Sequence, residues 1–298
     1  MIRFPCRLHR VADSQCSARV NALPGVAATA CIAFWFIAQL AAANVFVEDR
    51  REQRDGRLPI FRSVGMLVHP GAGGGGTAFL VSSCHIVTAF HVAFRQGRTT
   101  VDGETVHAKV GQAAEFVIGP DPVSPGTFAS HSRATVVAFG NFSVGSFDGT
   151  AGDWAILKLD ECLGKKFGFL NLARPGRDSP MPRGELMTVG FPRSRAKEPG
   201  ITVETGCRAR DHGPVAGLIG VDCAFEAGMS GGPVLEKQSN GSWLVVGLIQ
   251  QATGGTDKLL PSYSMAYRNQ MVGVTAFRWA LDRVLRAEGK RVLASRSG

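Results

Sequence analysis

The sequence lacks several patterns that nucleotide-binding and nucleic-acid-binding proteins use. The glycine run from Gly71 to Gly76 is not followed by the Lys-Ser/Thr pair of a phosphate-binding loop, so it predicts a hairpin turn. The net charge of +9 favours acidic partners in a general way. No basic run is interleaved with stacking aromatic residues, however, so we expect no nucleic-acid binding.

Residues 1–43 have the pattern of an export signal. A basic stretch is followed by the apolar run Val26–Leu40, and Ala41 to Ala43 offers the small residues that signal peptidase prefers. We therefore expect cleavage and a secreted or periplasmic protein. The alternative is an uncleaved anchor facing the periplasm, because the apolar run approaches the ~20 residues that span a bilayer. Only in that case would the protein contact a membrane.

Cysteine usage agrees with export. Outside the first 43 residues the chain has an even set, Cys84, Cys162, Cys207 and Cys223. An even set in an exported protein predicts two disulfides, and four cysteines allow three pairings. We favour Cys207–Cys223, whose closed loop precedes a glycine-rich turn. That choice leaves Cys84–Cys162, and buried free thiols are the alternative.

Short apolar runs separated by turns dominate the chain from residue 64, and 37 glycines agree with an all-β protein rich in turns. Residues 97–149 alternate only weakly and contain many Gly, Pro and Ser breakers. The predicted strands are Val64–Val68, Thr77–Ser82, His85–Thr88, Trp154–Leu159, Glu185–Gly190, Gly200–Cys207, Leu218–Cys223, Val234–Leu235, Trp243–Gln250 and Tyr263–Ala266.

These strands fall into two sets of about six, with a proline-containing linker near residues 170–183. The pattern predicts two packed six-stranded antiparallel β-barrels, one in residues 44–172 and one in residues 173–298. Apolar residues recur at helical spacing at the end of the chain and predict an amphipathic helix there. They are Val274, Phe277, Leu281, Val284 and Leu285.

A serine lies in the glycine-rich turn from Gly228 to Gly232. Glycines let the backbone fold tightly and let a substrate approach, and amides that point into one space can bind a developing negative charge. A serine hydroxyl is a weak nucleophile at neutral pH. Ser230 therefore needs a base within hydrogen-bond reach and a group that orients the base.

Two segments upstream of the serine offer such groups. His91 ends the run Thr-Ala-Phe-His after a predicted strand, and Asp153 directly precedes the most apolar strand of the first half. His85 is the nearest competing histidine, but it lies inside a strand pattern. Asp148 and Asp160 compete with Asp153 but do not directly precede that strand. The candidate order along the chain is therefore His, Asp, Ser.

The three segments resemble the chymotrypsin-like (trypsin-like) serine proteases. The run ending at His91 resembles their Thr-Ala-Ala-His, Asp153–Leu157 their Asp-Ile-Ala-Leu-Leu, and Gly228–Pro233 their Gly-Asp-Ser-Gly-Gly-Pro. The segment Glu48–Arg51, ahead of the first strands, resembles sequences of the bacterial branch that includes the V8-like glutamyl endopeptidases. The resemblance covers residues 46–285.

The resemblance implies a serine endopeptidase that works through an acyl-enzyme. Ser230 would attack, His91 would move the proton, and Asp153 would hold the histidine tautomer. The amides of Gly228 and Ser230 would form the oxyanion hole. We expect a monomer acting on a protein or peptide substrate without a metal or organic cofactor. The alternative is a protease-fold binding protein with little or no activity.

Two departures from the family pattern change the expected properties. Met229 stands where trypsin-like enzymes have an aspartate that pairs with a new N-terminus after activation cleavage, so we expect no such switch. Residues that select Lys/Arg or Glu in relatives are also replaced. We predict a pocket for a small or medium apolar side chain, lined by Ala224, Phe225, Ile249, Gln250 and Ala252.

Overall fold

The computed structural model describes residues 44–69, 75–94, 108–141, 151–174, 181–213, 216–253, 259–260 and 262–296. The expected export signal at residues 1–43 and residues 71–74 of the expected glycine hairpin lie outside the described residues. Within these described ranges, no helix is both long enough and apolar enough to span a membrane.

Six antiparallel strands in the first half close into a barrel with the order β3-β4-β5-β8-β7-β6. The barrel interior contains fully buried side chains such as Phe79, Phe116 and Leu157. Strands β6 and β7 lie in residues 97–149, where the alternation of apolar and polar residues is weak. The six strands are β3 (Val64–Val68), β4 (Gly75–Leu80), β5 (His85–Thr88), β6 (Ala113–Pro120), β7 (Phe128–Phe139) and β8 (Ala155–Leu159).

The second half is built on an eight-stranded antiparallel sheet with the order β11-β12-β16-β14-β13-β9-β10-β2. A separate parallel pair joins β1 (Val45–Phe46) to β15 (Leu259–Leu260). The all-β class is confirmed, although this sheet has more strands than the predicted set of six. Its strands are β2 (Glu52–Arg54), β9 (Leu186–Gly190), β10 (Ile201–Cys207), β11 (Ala209–His212), β12 (Leu218–Val221), β13 (Pro233–Lys237), β14 (Trp243–Thr253) and β16 (Arg268–Gly273).

The prediction of a strand at Tyr263–Ala266 was wrong, because the strand begins only at Arg268. Backbone hydrogen bonds between Ser264 and Tyr267 form a turn there instead. The Tyr263 hydroxyl donates a hydrogen bond of 2.6 Å to the Asp211 carboxylate, which holds the segment against β11.

The two ends of the described chain each pack on the other half. Strand β2 precedes the first barrel in sequence but pairs with β10 of the second sheet. The predicted C-terminal helix is confirmed and extends over Arg278–Arg296 (α3), after the short helices Phe90–Phe94 (α1) and Gly164–Phe167 (α2). Short 3₁₀ turns lie at Arg193–Arg195 and Val274–Ala276.

Helix α3 packs on the first barrel through both apolar and charged contacts. The Trp279 ring meets Trp154 edge-on with centroids 6.5 Å apart. The Glu288 carboxylate accepts a hydrogen bond of 2.6 Å from the Lys158 ammonium group on β8. The helix therefore joins the second half of the chain to the barrel that carries His91 and Asp153.

The structure contains two disulfides, Cys84–Cys162 and Cys207–Cys223. The first joins the residue before β5 to the turn that follows β8, and these are neighbouring strands of the barrel. It therefore braces the strand that precedes His91 against the strand that follows Asp153.

Replacing both Cys84 and Cys162 with serine should destabilise the protein. A cross-link over 78 residues restricts the unfolded chain, so its loss should lower the free energy of unfolding by about 3 kcal/mol. Denaturant unfolding of the oxidised protein and of the variant measures the difference. The Cys207→Ser/Cys223→Ser variant, which opens the shorter loop, is the matched comparison. Equal stability of wild type and the Cys84→Ser/Cys162→Ser variant would contradict this account.

Candidate active site

Strand register brings His91 and Asp153 together. Thr88 at the end of β5 is paired with Ala155 at the start of β8. His91 lies just beyond the first strand, on α1, and Asp153 lies just before the second. An Asp153 carboxylate oxygen is 2.9 Å from His91 Nδ1, and the other accepts the His91 backbone N–H at 3.0 Å.

These contacts assign the tautomer of His91. Because Nδ1–H donates to the carboxylate, Nε2 has no proton in the neutral ring and is the basic nitrogen. Asp153 is 1% exposed, whereas the His91 side chain is 30% exposed. Burial lowers the pKa of His91, but the charge of Asp153 and its hydrogen bond outweigh this, so the pKa lies above its ordinary value. The pair is an oriented base that can be reached from solvent.

The competing histidine has a different environment. His85 Nδ1 lies 2.9 Å from the Ser82 hydroxyl, and its Nε2 lies 3.4 Å from a carboxylate oxygen of Glu288 on α3. Both ring nitrogens of His85 therefore face groups within the first barrel and α3, and not the Asp153 carboxylate. Asp160 is exposed beyond the end of β8, and Asp148 lies outside the described residues.

The turn that carries Ser230 packs directly on the first barrel. The Thr77 amide of β4 donates a hydrogen bond of 2.9 Å to the Ser230 carbonyl oxygen. Gly231 has a φ of +82°, and a Cβ there would collide with Thr88, the Thr77 carbonyl and the Ala89 amide. Only glycine fits this approach. Ser230 therefore lies against the strand ends that lead to His91.

In the turn from Gly228 to Gly232, three of the five backbone amides donate hydrogen bonds inside the protein, those of Met229, Gly231 and Gly232. Met229 N–H donates to the Glu226 carbonyl at 2.9 Å, and Gly231 N–H donates to the Ile249 carbonyl at 2.8 Å. Within the described part of the chain, the amides of Gly228 and Ser230 donate no hydrogen bond to another protein group. Two amides left over in one tight turn are suited to bind an oxygen that becomes negatively charged.

Thr77 fixes the Gly228–Met229 peptide, which lies between these two amides, and the sequence alone did not indicate this role. Its hydroxyl donates a hydrogen bond of 2.8 Å to the Gly228 carbonyl and accepts one of 3.1 Å from the Phe191 amide. Gly228 has a φ of +98°, which favours glycine. The Ser230 hydroxyl donates to the Gln250 carbonyl at 3.3 Å.

Four residues of the predicted specificity pocket are buried near this turn, Ala224, Phe225, Ile249 and Gln250. Phe225 and Ile249 pack with Met229 in an apolar cluster of the second sheet. Ala224 is buried, and so is Gln250, whose carbonyl accepts the Ser230 hydroxyl. Ala252 lies in β14, and its side chain is outside the described residues. The pocket role of these residues stays a prediction.

The sequence did not predict two buried polar side chains that contact the backbone of Cys223 and Ala224. A carboxylate oxygen of Glu204, which is 2% exposed, accepts a hydrogen bond of 2.6 Å from the Ala224 amide. The buried Asn269 amide group donates to the Cys223 carbonyl at 2.5 Å and to the Asn44 carbonyl at 2.8 Å. The sequence could have indicated Glu204, because it is a glutamate inside the largely apolar strand β10.

Comparisons with known proteins agree with the fold and assign the family. The family described as trypsin-like peptidase domain matches residues 76–248, and the chain belongs to this family. A solved structure described as Glu endopeptidase in complex with MPD superposes with a TM-score of 0.55. It shares 16% identity over 79% of this chain and 98% of that chain, so it supports the fold. A search of curated proteins finds no match. The predicted chymotrypsin-like family and fold are confirmed.

Glu204 should make stability depend on pH. Burial raises the pKa of Glu204 to about 7, against the opposing hydrogen bond from Ala224 and the charges of Arg50 and Arg51. A raised carboxyl pKa favours the folded state below the unfolded value of about 4.3, and that contribution is lost as pH rises through 7. Glu204→Gln should therefore be more stable than wild type by about 2 kcal/mol at pH 8.

Thermal and denaturant unfolding at pH 4 and pH 8 measure this effect. The variant and wild type should be similar at pH 4, which lies below both the folded and the unfolded pKa of this carboxyl. Glu52→Gln, at an exposed position of β2, is the control and should show no comparable gain. A Glu204→Gln variant that is less stable than wild type at pH 8 would contradict the assignment.

Proposed function

We propose that this trypsin-like peptidase is an exported serine endopeptidase whose reacting groups are Ser230, His91 and Asp153. The observation that carries the proposal is the 2.9 Å contact from Asp153 to His91 Nδ1. It assigns the ring proton to Nδ1 and makes Nε2 the basic nitrogen, and the Ser230 turn packs against the strand ends that lead to His91. The two amides without protein partners complete the set of groups that acyl transfer requires.

The proposed reaction proceeds in two halves. Ser230 Oγ attacks the peptide carbonyl carbon while His91 Nε2 takes the hydroxyl proton, and the amides of Gly228 and Ser230 bind the resulting oxyanion. Collapse of this intermediate breaks the C–N bond, and the protonated His91 gives its proton to the departing amine. Water then repeats the sequence on the acyl-enzyme and releases the acid product. Asp153 stays ionised and keeps the ring oriented.

Several observations support an extracytoplasmic location. The two disulfides suit an oxidising compartment, and the first 43 residues have the pattern of an export signal. We propose a secreted or periplasmic monomer that acts on protein or peptide substrates. The apolar side chains of Phe225 and Ile249 and the small Ala224 support a small or medium apolar residue before the cleaved bond.

A fluorophosphonate probe tests the nucleophile and its activation. The wild-type protein should be labelled at Ser230, because the probe reacts with a serine whose proton is taken by a neighbouring base. Ser230→Ala and His91→Ala should both lose labelling. Ser242→Ala, in an exposed turn, and His131→Ala, on exposed β7, should keep it. A folded wild-type protein that is not labelled would instead indicate a binding protein.

The pH dependence of peptide hydrolysis tests the role of Asp153. His91 must be neutral to accept a proton, so kcat/KM should fall as pH falls through its raised pKa. The midpoint should lie above ~6.5, the ordinary histidine value. Asp153→Asn should lower kcat by about 10⁴-fold and move the midpoint to lower pH. An unchanged midpoint would show that Asp153 does not set the basicity of His91.

A further inference from the structure

The turn that contains the amides of Gly228 and Ser230 begins at Glu226. It cannot be held by an ion pair of the residue that precedes the serine. Met229 occupies that position with a fully buried, uncharged side chain. The turn must nevertheless keep the amides of Gly228 and Ser230 aimed at one point, because oxyanion stabilisation depends on preorganised donors. The carboxylate of Glu226, at the start of the turn, makes an ion pair that can serve this purpose.

The partner of Glu226 comes from the segment just before β2. Arg51 Nη1 donates a hydrogen bond of 2.6 Å to a Glu226 carboxylate oxygen, and the Arg51 side chain is 5% exposed. Its Nε and Nη2 donate to the two carboxylate oxygens of Asp49, each at 2.8 Å. The planar guanidinium is thereby fixed in orientation, as bidentate pairing with a carboxylate requires.

Glu226 is also held from the other side of the turn. Its carboxylate accepts the Ser194 amide and the Ser194 hydroxyl, each at 2.6 Å. The Arg193 amide donates to the Ala227 carbonyl at 2.8 Å. The carbonyl of Glu226 itself accepts the Met229 amide and closes the turn. The side chain of Glu226 is therefore anchored to two outside segments, while its backbone forms the turn.

We propose that Arg51 and Glu226 are positioning residues that hold the turn from Glu226 to Ser230 in its reactive geometry. The ion pair supplies, from the N-terminal segment, the electrostatic support that Met229 cannot supply. Removal of Arg51 leaves the Glu226 carboxylate without this counterion, and removal of Glu226 leaves Arg51 paired only with Asp49 and no longer tied to the turn, so the turn is expected to shift in both cases. This inference rests on the proposed function, since its kinetic consequence requires peptide hydrolysis.

The kinetic test compares variants of the pair with a matched variant of the same segment. Arg51→Met and Glu226→Gln should each lower kcat about 10- to 100-fold with KM changed less than about threefold, since misplaced donors mainly affect the transition state. Arg51→Lys should recover part of the loss. The double variant should be no slower than the slower single variant. Arg54→Met breaks an exposed pair with Glu52 and should retain wild-type kinetics.

Amide hydrogen exchange provides a readout that does not depend on turnover. Peptides covering residues 226–232 should exchange faster in Arg51→Met than in Arg54→Met, while the barrel strands stay protected. Unchanged exchange in this turn, or kinetic losses equal to those of Arg54→Met, would overturn the proposal. If wild type shows no hydrolysis but the exchange difference is found, the proposed function fails and the positioning contact stands.

Discussion

The candidate site depends on one junction, the packing of the Ser230 turn onto Thr77. This fully buried threonine donates its amide to the Ser230 carbonyl and its hydroxyl to the Gly228 carbonyl. Its own carbonyl accepts the Thr88 hydroxyl at 2.7 Å, so the contact continues to the strand that leads to His91. Each bond contributes about 1 kcal/mol net, but an unsatisfied partner here would cost more. The two halves of the site are therefore fixed to each other through the backbone.

The rest of the fold keeps that junction in register. Strand β2 crosses from the first half to the second sheet, and helix α3 returns from the second half to the first barrel. Each half thus contributes an element to the packing of the other, in addition to the contact at Thr77. A site built between the barrel and the second sheet needs this arrangement, because the distance between base and nucleophile depends on how these two parts pack on each other.

Local patterns predicted the parts of the site that lie on single segments. The residues around His91, Asp153 and Ser230 form short signatures, and the β5–β8 register follows from the apolar strands beside them. The same patterns could not give Arg51–Glu226, whose partners are 175 positions apart, because an ion pair between distant segments leaves no periodicity in the sequence. Nor did they give β6 and β7, where turn-forming residues hide the alternation.

The polar groups behind the predicted pocket need not alter its apolar character. The Glu204 carboxylate is engaged by the Ala224 amide, and the Asn269 amide group is engaged by the Cys223 and Asn44 carbonyls. In both cases the side chain holds a backbone segment. A buried carboxylate with a pKa near 7 would also be a poor fixed counterion for a basic side chain. Glu204 and Asn269 therefore fix the backbone at Ala224 and Cys223, and the apolar lining of the pocket stays a prediction.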